Sequence, residues 1–364
     1  CQACGHYQNS VAVDLNLIYE FYLSRPSTTN PVLSTAFKEY ADYLLNNFSS
    51  GKNLFAVEAG SNDGAFINYM QNTLKIKVLG VEPSENLSAQ ANNNNIPTIK
   101  KYFNFQTAKE IKEKYGSANF FIANHTFSNV IDLSDFVDGV KHLLKEDGVF
   151  SMQTHYIKAV VEKNLIENFA HEHLSGFYVK PLKSFFERKG MEIFDVKIVP
   201  AKHGSIRCLI QKKNGPNKIL PSVKEVIKQE EVFGMDKFNR HDSIAKFIKE
   251  NKQKIHDYID PILQKGGKIA AYGTSTGATT FSFNYDLGTS ISFFVDDDEY
   301  RHNLLSPYYH IPVFSPSEIQ KQKPTAIIVL APLYADKIIG KNEDYLKQGG
   351  TFLKIWPKVE IIKN

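Results

Sequence analysis

Asn53-Leu54-Phe55-Ala56-Val57-Glu58-Ala59-Gly60-Ser61-Asn62-Asp63-Gly64 reads as a short buried strand that runs into a glycine-bracketed turn. A helix over 65–71 follows it. Strand, tight turn and helix in that order open a parallel α/β unit, because the chain must cross over before the next strand can pair in parallel. Working outward, 78–82 is a second strand that ends in the carboxylate of Glu82, and 120–124 is another that ends in Asn124. A helix over 132–144 and a strand over 148–153 continue the alternation. The pattern predicts an α/β fold with a doubly wound parallel sheet.

The same pattern returns near the C-terminus. Strand 268–273 enters a second turn, Gly273-Thr274-Ser275-Thr276-Gly277, and strand 291–295 runs into Asp296. Strands over 326–331 and 352–356 complete at least a four-stranded sheet. Between the two blocks, 215–265 is charged, with apolar residues scattered at helical intervals, and reads as a helical linker. Before the first block, 15–50 is helical, with Leu15, Ile18, Phe21 and Tyr22, then Phe37, Tyr40, Leu44 and Leu45, at helical spacing. Pro and Ser/Thr break this segment at a loop over 24–31. The expected domains are 1–14, a helical segment 15–50, an α/β domain 51–214, the linker 215–265, and a second, smaller Rossmann-like domain 266–364.

The chain of 364 residues is too long for one ordinary core. Its 42% hydrophobic and 23% charged residues are the balance of a globular protein. The net charge of +4 is spread along the chain, without the basic cluster and interleaved aromatics of a nucleic-acid footprint. No apolar run reaches the roughly 18 residues of a membrane span, and no secretory signal is present. A cytoplasmic location with no membrane partner is therefore expected. The sequence is silent on oligomeric state.

Glycines in the 60–64 turn let the backbone approach a ligand, and the following helix offers free N–H groups. Glu82, at the end of the next strand, suits the two hydroxyls of a ribose. A dinucleotide site would show G-x-G-x-x-G, whereas Ser61, Asn62 and Asp63 fill this loop. Asp63 repels a pyrophosphate and favours the cationic amino and sulfonium end of S-adenosylmethionine. The candidate cofactor residues are Glu58, Gly60, Asn62, Asp63, Gly64, Glu82 and Asn124. An ordinary strand-turn-helix is the bland alternative. At the N-terminus, Cys1-Gln2-Ala3-Cys4-Gly5-His6 is half of a zinc-binding pattern, because a knuckle supplies two of the four thiolates of a tetrahedral site. No second C-x-x-C exists, so Cys1 and Cys4 are expected to be the remnant of such a site or a metal-free terminus.

The strings Glu58-Ala59-Gly60-Ser61-Asn62-Asp63-Gly64, Ala170-His171-Glu172-His173-Leu174-Ser175-Gly176-Phe177 and His203-Gly204-Ser205-Ile206-Arg207 resemble the signatures of the sugar C-methyltransferases. The resemblance spans nearly the whole chain. It implies a truncated N-terminal zinc ribbon, a central class I methyltransferase domain that binds S-adenosylmethionine, and a C-terminal Rossmann-like domain. It also implies methylation of a nucleotide-linked keto-sugar in deoxysugar synthesis. Such chemistry needs a base for the proton beside the ketone, for which a histidine suits. The resemblance points to His173 with Glu172; His171 completes the string. By residue type alone the string is also a metal half-site or a solvated turn.

Three departures from the family pattern bear on that chemistry: Ala170 and Gly176 replace tyrosines, and Asn129 replaces a histidine. Tyr22 or Tyr178 is then a substitute phenol, if it is not packing. His203 and Arg207 are candidate substrate contacts. Gly273, Thr274, Ser275, Thr276 and Gly277 offer donors to a diphosphate, with Thr276 where relatives carry a lysine, and Asp296 can meet a hydroxyl. The alternatives are an O- or N-methyltransferase on another acceptor, a non-catalytic subunit that binds S-adenosylmethionine or a nucleotide, and an NAD-dependent oxidoreductase.

Overall fold

The computed structural model describes residues 1, 3–22, 31–49, 51 and 53–364. Of the expected loop 24–31, positions 24–30 lie outside the described residues. The chain forms two compact units, 1–159 with 171–236, and 160–170 with 237–364.

The strands of the first unit are β1 (Tyr7–Gln8), β2 (Phe55–Ala59), β3 (Lys77–Val81), β4 (Thr98–Ile99) and β5 (Ala118–Asn124). They continue with β6 (Leu144–His155), β7 (Ser175–Gly176), β8 (Met191–Val199) and β9 (Ser205–Lys212). Seven of them make one sheet in the order β4-β3-β2-β5-β6-β9-β8. All are parallel except β9, which runs antiparallel to both neighbours. The winding reverses between β2 and β5, and ligands of open α/β sheets bind at that point, beyond the carboxyl ends of the strands. All five residues of β2 are buried, as expected of a central parallel strand covered on both faces.

Helices α1 (Leu15–Tyr19), α2 (Pro31–Phe48) and α3 (Ala65–Asn72) precede and follow β2. Tyr40 and Leu44 of α2 and Phe66, Ile67 and Met70 of α3 cover one face of the sheet. A further group of rings, Phe103, Phe121, Phe136 and Phe150, packs edge to face. The helical spacing of Leu15, Ile18, Phe21 and Tyr22 does not build a core face. α1 has no buried residue, and Phe21 is exposed. A helix of five residues is too short to present a continuous stripe. The rings of Tyr19 and Tyr22 pack on each other instead, 5.4 Å apart.

The remaining helices of this unit include α4 (Glu85–Asn93), α5 (Phe105–Tyr115) and α6 (Leu133–Leu143). After α7 (Ile157–Lys163), α8 (Val179–Arg188) and α9 (Pro221–Phe233) pack beside β8. The stretch expected as a linker is thereby divided, because α9 belongs to the first unit and α10 (Asp242–Gln264) to the second. Glu230 of α9 is fully buried. Its carboxylate accepts hydrogen bonds from the Val179 and Lys180 amides and from the Tyr156 hydroxyl, at 2.6, 3.0 and 3.0 Å. It thus satisfies the open N-terminus of α8 from a neighbouring helix. Glu230→Ala strands these donors and is expected to cost about 3 kcal/mol in denaturant unfolding. A loss below about 1 kcal/mol would show that water replaces the carboxylate.

The second unit holds β10 (Ile269–Tyr272), β11 (Ile291–Val295), β12 (Val313–Phe314), β13 (Ala326–Val329), β14 (Thr351–Lys354) and β15 (Glu360–Ile362). Their order, β12-β11-β10-β13-β14-β15, is again doubly wound, with only β15 antiparallel. The loop after β10, at the reversal of winding, leads into α11 (Thr276–Asn284). Among the described residues no helix is long and apolar enough to cross a membrane.

Candidate active site

The loop after β2 is tied back to β3, since the Gly60 amide donates to the Val81 carbonyl at 2.8 Å. Gly60 has φ +66°, and a Cβ there would lie 2.2 Å from Thr126 Oγ1. Only glycine lets the chain pass this close. Glu82 Oε2 accepts from the Asn62 amide (2.8 Å) and Oε1 from the Ser84 amide (3.0 Å). It therefore clamps the loop and keeps a second lone-pair direction on each oxygen. Asp63 is buried and accepts from the Ala65 amide at 3.3 Å, beside Gly64 at the head of α3.

Glu58, at the end of β2, accepts from Asn124 Nδ2 at 2.9 Å. Its other oxygen, Oε2, is buried with no hydrogen-bond partner, and so are Asn124 Oδ1 and Ser61 Oγ. Burial holds the Glu58 carboxyl well above its ordinary value; the Asn124 bond opposes this, and the charges of Asp63 and Glu82 add to it. Buried acceptors without donors, among three carboxyl groups, suit a cationic ligand with N–H groups of its own. The residues present thus fit S-adenosylmethionine, whose sulfonium supplies an electrophilic methyl group when bound.

The direction of the Glu58 shift gives a pH test. A bound cation favours the carboxylate, so binding expels a proton while the pH lies below the raised value, and affinity climbs with pH until Glu58 is ionised. For the protein without a cation, the sign for stability is opposite: stability present below the ordinary carboxyl range is lost as pH rises through the raised value. Glu58→Gln is expected to weaken S-adenosylmethionine binding about 10-fold or more at neutral pH and to flatten its pH dependence, both read by titration calorimetry. An unchanged slope would remove Glu58 from the site.

A second cluster lies in the same unit. Glu172 is buried, and its Oε2 accepts from the Tyr22 hydroxyl at 3.2 Å. The Tyr22 backbone is pinned in turn, its amide donating to Ser84 Oγ and Asn86 Oδ1, both at 3.1 Å. Ser84 is the residue whose amide holds Glu82, so Tyr22 sits beside the loop after β2. The structure thus brings Tyr22 and Glu172 together. His173 is half-buried, with its ring 4.5 Å from that of His155, which is 4.9 Å from the ring of His125. His171 is exposed and its ring joins none of these. Tyr178 is not in the cluster. It packs under the N-terminal turn, where a Cβ on Gly5 would lie 2.6 Å from its hydroxyl oxygen.

The departures now have physical correlates. Asn129 donates to the Tyr19 hydroxyl at 2.6 Å, and burial with the charge of Glu172 pushes that phenol up. A Cβ on Gly176 would lie 2.4 Å from Ile157 Cδ1, so Ile157 fills the space a larger residue would need. Ala170 is buried.

Arg207 does not project toward a ligand through its Nε and Nη2. Both donate to Gln153 Oε1, at 3.0 and 2.7 Å, and its guanidinium carbon lies 3.3 Å from the centre of the Tyr40 ring. His203 is half-buried in a turn, with φ +64°. Sequence reasoning missed Tyr19, His125, Gln153, His155 and Lys202. A signal existed for two of them. His125 follows the last residue of β5, and His155 is the last residue of β6, both on the ligand edge that had already singled out Asn124.

In the second unit, Thr274 donates to Asp296 Oδ2 through its amide (2.8 Å) and hydroxyl (2.7 Å), while the Asp298 amide donates to Asp296 Oδ1 at 2.9 Å. Both oxygens of Asp296 therefore bind the protein's own loops. Arg301 lies beside them, 3.3 Å from Thr274 Oγ1 and 3.6 Å from Asp296. It supplies near the 273–277 turn a cation that Thr276 lacks. Gly273 has φ +99°, Ser275 precedes α11 without a capping bond from its side chain, and Gly277 lies against Glu167.

Cys1 and Cys4 are exposed thiols on a turn closed by the Gly5 amide donating to the Cys1 carbonyl at 2.9 Å. His6 Nε2 is 3.2 Å from Ser175 Oγ. Two thiolates are half a zinc set, and no group of three or more potential ligands occurs among the described residues. They do not fit a complete zinc site, and no chemistry is assigned to one.

Two family models match the chain: "Methyltransferase domain" over residues 33–196 and "C-methyltransferase C-terminal domain" over residues 200–357. The C-methyltransferase NovU of Streptomyces niveus is 27% identical over 363 residues, covering 100% of this chain and 86% of its own. Among solved structures, the plantazolicin methyltransferase BpumL with a pentazolic desmethylPZN analog and SAH is 11% identical, with a TM-score of 0.40. It covers 51% of this chain and 87% of its own. An S-adenosylmethionine-dependent methyltransferase from Clostridium acetobutylicum is 14% identical, covers 49% of this chain and 92% of its own, and has a TM-score of 0.39. Likenesses this distant add nothing to the family matches.

Proposed function

We propose that this chain, an S-adenosylmethionine-dependent methyltransferase, acts as a C-methyltransferase that methylates a nucleotide-linked keto-deoxysugar on the carbon beside its ketone, a reading supported by its C-terminal match to a C-methyltransferase domain. One observation carries this reading: adjacent residues join a cation-binding pocket to an imidazole cluster. Asn124 bonds Glu58 at the end of β2, and the next residue, His125, begins the run of rings through His155 to His173. Methylation of an oxygen or nitrogen nucleophile needs one base at most; carbon methylation beside a ketone also needs groups for the enolate oxygen. The cluster has enough groups for both tasks.

In this reading Glu58, Gly60, Asn62, Asp63, Gly64, Glu82 and Asn124 hold S-adenosylmethionine. His173 takes the α-proton, with Glu172 and Tyr22 fixing its surroundings. In the second unit, taken by itself, the turn of Gly273, Thr274, Ser275, Thr276 and Gly277 offers donors suited to a diphosphate, and Asp296 shapes that loop from within. His203 is assigned to the sugar, and Arg207 to the cluster's own architecture.

The test is calorimetric titration with S-adenosylhomocysteine and, in parallel, NAD. It is followed by transfer of labelled methyl from S-adenosylmethionine to a panel of nucleoside-diphosphate 4-keto-deoxysugars. Binding of S-adenosylhomocysteine with carbon-bound label in one sugar is the expected result. Label on oxygen, or none on any sugar, would overturn the acceptor.

A further inference from the structure

We propose that His125 is the hydrogen-bond donor to the carbonyl oxygen of the acceptor, a neutral imidazole locked with its proton on Nδ1 by Gln153 and, behind it, Arg207. The lock follows from which atoms can donate. A guanidinium has only donors, so the atom of Gln153 that receives Arg207 Nε and Nη2, at 3.0 and 2.7 Å, is the amide oxygen. The amide nitrogen of Gln153 then faces His125 Nε2 at 3.3 Å. An amide NH2 donates and cannot accept, so His125 Nε2 must offer its lone pair, and the single proton of the neutral ring sits on Nδ1.

The ring also stays neutral. Burial holds its pKa well below the ordinary histidine value, and the charges of Lys202, His173 and Arg207 push the same way. Its Nδ1 is buried and has no hydrogen-bond partner. A buried N–H left without an acceptor is costly in a folded protein. The backbone is specialised too: His125 has φ +55°, in the left-handed region, and its amide donates to the Gln153 carbonyl at 2.7 Å. Gln153 therefore grips His125 at both ends, and the donor it leaves bare stands one residue beyond Asn124 in the cofactor pocket.

The role rests on the keto-sugar reading above. As His173 takes the proton, the C–H electron pair becomes the carbon–carbon double bond of an enolate, and the charge collects on oxygen. A fixed neutral N–H stabilises that oxygen without giving up its proton. With S-adenosylmethionine bound, the enolate's carbon–carbon pair would take the methyl group, and the broken carbon–sulfur pair would stay on sulfur in the leaving S-adenosylhomocysteine. The carbonyl would re-form, and the proton on His173 would leave to solvent. Gln153 and Arg207 act through His125 and are positioning residues.

Gln153→Glu tests the lock, because a carboxylate still pairs with Arg207 but can only accept from His125. Long-range proton–nitrogen correlation spectra of full-length protein labelled in its histidines read the tautomer, with His125→Asn assigning the signal. The expected result is a proton on Nδ1 in the parent and on Nε2 in Gln153→Glu. A proton on Nε2 in the parent, or no change in the variant, overturns the lock. The second readout is exchange of the α-hydrogen of thymidine-diphosphate 4-keto-6-deoxyglucose in heavy water, with S-adenosylhomocysteine bound. Gln153→Glu is expected to slow it about 100-fold or more, with S-adenosylhomocysteine affinity unchanged as the control on folding. Exchange at the parent rate overturns the role of His125. No exchange by the parent enzyme overturns the keto-sugar reading instead, whatever the spectra show.

Discussion

His173→Ala is expected to lower kcat about a thousand-fold while S-adenosylhomocysteine affinity stays within a few-fold. The size follows from the task. A proton beside a ketone is far too weakly acidic for water to remove at neutral pH, and a positioned imidazole commonly contributes two to four powers of ten. The selectivity follows from placement: His173 faces His155, while the cofactor residues lie on the loops after β2 and β3 and at the end of β5. His171→Ala supplies the internal comparison, because His171 is exposed and joins no ring of the cluster. It is expected to keep kcat within about three-fold, the range of surface substitutions away from such features. Steady-state rates on the sugar that accepts label, with calorimetry on the same preparations, separate the two. Equal losses in both variants would mean that the turn as a whole matters and that neither imidazole is the base.

The sheet was legible because its signal is local. A central parallel strand reads as an unbroken apolar run, and Phe55–Ala59 and Ala118–Asn124 are buried at nearly every position. The turn after β2 was legible for the same reason, since its glycines, its acid and the downstream Glu82 lie on two consecutive strand ends. The second cluster was only half legible. Glu172 and His173 stood in a recognisable string, but Tyr22 reaches Glu172 across 150 positions of sequence, and no local period records such a contact. Arg207 was read from its string as a ligand contact, although its partner Gln153 is 54 positions away on the neighbouring strand. The register that pairs Gln153 with Arg207 decides this, and register is a property of the folded sheet. Leu15, Ile18, Phe21 and Tyr22 show the converse, a helical spacing that a helix of five residues does not use.

Gly60→Ala is expected to raise the dissociation constant for S-adenosylhomocysteine about 100-fold or more, and the structure divides that loss into two parts. The first is conformational: φ +66° costs a residue with a Cβ about 1–2 kcal/mol. The second is steric, because the new Cβ would lie 2.2 Å from Thr126 Oγ1 and 2.8 Å from Thr126 Cγ2, separations that real atoms do not hold. The core beneath is continuous and buried, so the loop is expected to swing outward while β2 stays in place, and the penalty falls on binding more than on unfolding. Thr126→Gly added to Gly60→Ala removes the clash but leaves the φ penalty. The double variant should therefore recover affinity to within about 5- to 30-fold of the parent, the equivalent of 1–2 kcal/mol. Recovery confined to the double variant, at unchanged unfolding midpoints, identifies the close approach of Gly60 to Thr126 as what shapes the cofactor pocket. If Gly60→Ala binds S-adenosylhomocysteine as the parent does, the loop after β2 is not the cradle, and Glu58 and Glu82 must hold some other ligand.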